Sequence, residues 1–158
     1  MTVPDLVPIR HEPNYRTSTI GQWDGGQFFA HVSGVFAGRD VDGRVLRRWY
    51  SVLHEFDAAG RHLDSRIRPA GTVADGAAKA PVVEAAQRLL HEWLEALPGR
   101  HFTDIAIAPF AVEVDGTLFG LVSECHGEYP EGEEQDDWAE FYPNQLGFSA
   151  PWDGLYDT

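Results

Sequence analysis

Histidines and carboxylates crowd around one short turn. In "VLHEFDAAGRHLDS", His54 and Asp57 lie on the approach and His62 and Asp64 on the return. Imidazole changes charge near neutral pH and a carboxylate can orient it, so His54, Asp57 and His62 are a candidate acid–base set if the fold gathers them. Antiparallel pairing of the two arms would place His54 and Glu55 near His62 and Asp64. Hairpin tips also carry polar residues for solvation alone, so the assignment requires these side chains to converge in a pocket.

Two further groupings come close to reactive patterns. "HEWLE" at 91 to 95 approaches the H-E-x-x-H zinc pattern, but Glu95 stands where the second histidine belongs, and an amphipathic helix supplies His-Glu pairs on its wet face anyway. "SECHGE" surrounds Cys125 with carboxylates, which oppose the lowered pKa that a reactive thiol needs. No metal or cofactor is implied by either. The sequence carries no Gly-rich phosphate loop and no nucleophile elbow.

Charge is distributed unevenly. The net charge is −13, yet residues 1–100 hold 12 Lys+Arg against 12 Asp+Glu, and residues 101–158 hold none against 13. The run "ECHGEYPEGEEQDDWAE" places eight carboxylates between Glu124 and Glu140. Such a chain repels nucleic acid and acidic membrane surfaces and attracts basic partners or cations. A calcium loop is the weaker reading, because "EGEEQDDWAE" lacks EF-hand spacing. A partner would meet Glu131, Glu133, Glu134, Asp136 and Asp137, with Trp138, Phe141 and Tyr142 as apolar anchors among them.

The elements that would position these groups follow from punctuation and periodicity. Residues 1–15 hold three prolines and read as an extended lead-in. Asp24-Gly25-Gly26, the DAAG turn before Arg61, and Asp115-Gly116 predict hairpins, since Asp and Gly tolerate the positive φ of tight loops. From Pro81 to Leu97, Val82, Val83, Ala86, Leu89, Leu90, Trp93, Leu94 and Leu97 recur at helical spacing, and Pro98-Gly99 ends the run. The expectation is a single α+β domain over 1–158: an antiparallel sheet of about five to seven strands built from hairpins, with one amphipathic helix at about 81–97 on one face. Residues 124–140 read as an acidic loop. Trp-Asp-Gly occurs at 23–25 and again at 152–154. The first copy reads as a turn. The second lies with Phe148, Leu155 and Tyr156 in a segment, 141–158, whose rings should dock it on the body; alternatively, Trp152 and Tyr156 form a recognition edge.

"YRTSTIGQWDGGQFF", "RRWYSVLHEFDAAGRHLDS" and "YPNQLGFSAPWDGLYDT" together resemble small bacterial proteins described as formate hydrogenlyase regulatory proteins, over about Tyr15 to Thr158. The resemblance implies a regulator that acts by binding another protein, without catalysis of its own. A compact acidic α+β domain is also similar, at the level of fold, to immunity proteins that neutralise basic toxins.

The single cysteine excludes an internal disulfide and suits a reducing compartment. With no leader pattern and no apolar run long enough to span a bilayer, a soluble cytoplasmic protein is expected. The leading expectation is thus a non-catalytic interaction or regulatory module with an acidic surface for a basic protein partner. The alternative is a small enzyme or ligand-binding protein using His54, Asp57 and His62 on the 45–68 hairpin.

Overall fold

Tight turns set the architecture in the computed structural model, which describes residues 2–124 and 137–158. β1 (Val7–Ile9) precedes a meander of β2 (Ile20–Trp23), β3 (Gly26–Arg39), β4 (Val45–Phe56) and β5 (His62–Ala74). The β2–β3 turn is Asp24-Gly25. At the β4–β5 turn Gly60 has φ 89°, a value that favours glycine. Helix α1 (Ala80–Glu95) follows, then β6 (His101–Phe102), β7 (Ile105–Ile107), β8 (Phe110–Val114), β9 (Thr117–Glu124), β10 (Trp138–Tyr142) and β11 (Leu146–Phe148).

The fold is α+β and every strand pairing is antiparallel, as the hairpin signals implied. What those signals did not show is the division of the strands. One sheet has the order β5-β4-β3-β2-β6, a second has β11-β10-β9-β8, and β1 pairs with β7 in a small separate ladder. The larger sheet is the middle layer. Its one face carries Phe28, Ala30 and Leu53 against Leu90, Leu94 and Leu97 at the helix. Ser51 Oγ also donates to the Ala86 carbonyl at 2.7 Å, tying β4 to α1. Its other face buries Phe29 and Phe56 against Leu121, Phe141 and Phe148 of the four-stranded sheet. Strand alternation sorts the residues: on β3, odd positions face the second sheet and even positions face the helix.

Two boundaries differ from expectation. The acidic stretch 124–140 is flanked by strand at both ends, because Trp138 on β10 pairs with Glu124 on β9. Within the lead-in, Val7 pairs with Ile107 and both are fully buried. The C-terminal segment returns to the body through an antiparallel bridge between Gly147 and Asp157. Among the described residues, no helix is long and apolar enough to cross a membrane.

The strand β3 changes character along its length. β2 pairs with it only from Gly26 to Phe29, and the Ala30 amide bonds the Thr19 carbonyl as the last rung. From His31 to Arg39, β3 has β4 on one side and no strand on the other among the described residues.

Candidate functional site

The register of β4 and β5 decides the fate of the histidine cluster. His54 lies opposite Ser65, and an irregularity between Glu55 and Phe56 brings His62 onto the same inner face. Ser65 Oγ bridges the two rings, 2.6 Å from His54 Nδ1 and 2.7 Å from His62 Nε2. One hydroxyl proton cannot serve both, so one imidazole presents an N–H and the other a lone pair. A third histidine joins the row from β3: the His31 ring centre lies 6.0 Å from that of His54, with Ser33 Oγ 2.6 Å from its Nδ1.

Asp57 does not join. Its carboxylate accepts the Arg61 amide at 2.9 Å and stabilises the turn. His54 and His62 instead meet Phe110, with ring centres at 4.8 Å and 4.6 Å. Burial lowers the pKa of His31 to about 3. Burial, and then the neighbouring His31 and His62, hold His54 well below the ordinary imidazole range. Burial also lowers His62, opposed by a hydrogen bond to the Asp64 backbone and by the Asp64 carboxylate. The row is therefore neutral, and it packs between two sheets instead of lining a substrate-sized space. Among the described residues, no group of three His, Cys, Asp or Glu side chains is placed to hold a metal ion.

Only His31 of this row borders a cleft of about 890 Å³ that wraps around the uncovered length of β3. From the helix side come Trp49, Lys79 and Gln87; from the other come Tyr15, Arg16, His31 and Asn144. Val32 and Gly34 lie between them. Cross-strand pairing of Gly34 with Trp49 leaves room for the indole, which a Cβ on Gly34 would meet at 2.9 Å. Lys79 Nζ sits 5.6 Å from the Trp49 ring centre. Arg47 is 3.9 Å from Asp75, the one carboxylate in the lining among the described residues. Arg16 and Lys79 have no carboxylate partner among the described residues. Helix α1 starts beside Lys79 with no acidic residue in its first turn, so its partial positive end adds to the same field.

The acidic surface is only partly described. Glu131, Glu133, Glu134 and Asp136, with Cys125, lie outside the described residues. Asp137 is half-buried at the start of β10. Alternation along β10 turns Trp138, Glu140 and Tyr142 away from the core and Ala139 and Phe141 into it. Phe141 is 1% exposed and stacks on Phe29 at 4.0 Å, which corrects its assignment as an apolar anchor for a partner. Tyr142 donates to Glu124 Oε1 at 2.7 Å, and that bond, then burial, raises its pKa. Trp152 and Tyr156 pack on the inter-sheet core, and the Tyr156 hydroxyl accepts the Arg16 amide at 3.1 Å.

The sequence pointed to His54 and His62 but missed His31, Ser33, Ser65 and the cationic lining. For His31 a signal existed: in "FFAHVSGVF" it shares the parity of Phe29, the phase of a buried face. Arg16, Arg47 and Lys79 share no local pattern, since three separate elements bring them together. In comparisons with known proteins, the chain matches no family model, no curated protein and no solved structure.

Proposed function

We propose that the protein is a non-catalytic binding module of a reducing, cytoplasmic setting, and that its cleft takes an anionic ligand. One observation carries this reading. In a chain of net charge −13, the cleft gathers Arg16, Arg47 and Lys79 against Asp75 alone among the described residues. Concentrating cations in a concave, partly apolar site against the overall charge favours anions there. Trp49 and Tyr15 add ring surface of the kind that binding sites favour. The test is equilibrium binding of labelled polyglutamate at low and high salt, with Arg16→Gln and Lys79→Gln. Salt-sensitive binding that weakens in both variants supports the reading, and no binding at low salt defeats it.

A second reading has its own observation. The outer face of the four-stranded sheet places Glu140 and Tyr142 beside Glu124, and residues 101–158 contain no Lys or Arg to offset the carboxylates. That face suits a basic protein partner, the role implied by the resemblance to regulatory and immunity proteins. Polylysine replaces polyglutamate in this test, with Glu124→Gln and Glu140→Gln as the variants. The two sites are separable, because each responds to the opposite charge.

A further inference from the structure

The backbone at the floor of the cleft specifies more than charge. The Ala30 amide points to Thr19, across the lane that β2 occupies. Amide and carbonyl directions alternate along a strand, so Val32, Gly34 and Phe36 direct theirs into the same lane beyond the end of β2. Among the described residues, no strand fills it and these groups have no side-chain or backbone hydrogen-bond partner on that side. The lane runs for roughly 17 Å at strand rise.

An uncovered edge is a template for another strand, and proteins blunt the edges that must stay free. β5, the outer strand of the same sheet, is protected in this way. It carries Asp64, Arg66, Arg68 and Pro69. The free part of β3, Val32 to Phe36, carries no charge and no proline, and Phe36 is 60% exposed. The edge is thus left receptive where the cations converge.

We infer that an acidic peptide in extended conformation adds to β3 in the lane that β2 vacates, pairing with Val32 and Gly34. Alternate side chains of the added strand face opposite ways: one set meets Trp49, Arg47 and Lys79, and the other meets His31, Asn144 and Arg16. Main-chain hydrogen bonds supply affinity, and the flanking cations select carboxylate-bearing residues. A second copy of this chain pairing through the same edge is disfavoured, because it would bring two cationic linings together. The inference rests on the anionic reading of the cleft and adds the backbone pairing.

The probe is an acetylated, amidated hexapeptide of alternating glutamate and valine, followed by calorimetry and fluorescence anisotropy. Three relatives accompany it: alternating lysine and valine, and two versions N-methylated at alternate amides in opposite phase. The expected result is one-to-one binding that salt weakens, little binding of the lysine peptide, and loss of roughly tenfold or more with one methylation phase only, as removal of paired amides requires. Equal binding by both methylated peptides and the parent overturns strand addition while leaving the anionic cleft standing. Failure of the glutamate peptide and of polyglutamate together overturns both. Sedimentation showing a dimer that the glutamate peptide does not dissociate assigns the edge to a second copy and overturns the inference.

Discussion

The Thr19 hydroxyl donates to the Ala30 carbonyl, while the Ala30 amide bonds the Thr19 carbonyl at 3.0 Å. This reciprocal pair closes the β2–β3 ladder and marks where the free lane begins. Thr19→Val keeps the shape and removes the side-chain bond. It should cost about 1 kcal/mol in urea unfolding, the net worth of one such bond, with an unchanged denaturant slope.

Acid should weaken the fold through the histidine row. His31 and His54 have folded pKa values below their unfolded value, so the unfolded chain takes up protons first as pH falls. Stability is flat above the ordinary imidazole pKa and falls below it, down to about 3 for His31. At a pH one unit below about 6.5, each ring should cost about 1.4 kcal/mol relative to neutral pH. Urea midpoints across that range test this, and His31→Gln should reduce the pH slope. An unchanged slope would show that the row does not carry the acid sensitivity.

Phe141→Ala should destabilise by about 3–5 kcal/mol, the usual cost of emptying a buried phenylalanine site. The ring is covered by Phe29, with His31 and His54 beside it. Calorimetric Tm reads the loss. Polylysine binding per folded molecule should stay unchanged, which separates a core ring from a surface anchor.

Tyr156→Phe should leave stability within about 1 kcal/mol and still weaken polyglutamate binding, because an exposed hydrogen bond contributes little to folding but here positions the Arg16 backbone at the cleft. Parallel melting and binding curves check the two effects.

The sequence was most legible where one residue type has one job. Asp115-Gly116 takes φ values of 53° and 76°, which few other pairs tolerate, and it forms the turn of the β8–β9 hairpin. Leu90 and Leu94 repeat at one helical turn, and both are buried against the larger sheet. Legibility failed where position depends on long-range pairing. Phe141 stands among carboxylates in the sequence, and only its alternation with Glu140 and Tyr142 on a paired strand turns it inward. Asp57 looked like a partner for imidazole, but its carboxylate had a nearer donor in the Arg61 amide. The second sheet had no local signature, since a strand buried against a sheet and one buried against a helix share the same period.

The bond between Tyr156 and Arg16 spans 140 residues. Synthesis proceeds from the N-terminus, so Arg16 leaves the ribosome long before its partner exists. The β2–β5 meander needs no residue beyond Ala74 to pair. The Arg16 wall of the cleft, in contrast, gains its backbone anchor only once Tyr156 has been made. A nascent chain therefore carries the free β3 edge before it carries the finished site, and ligand selection by this wall must wait for Tyr156.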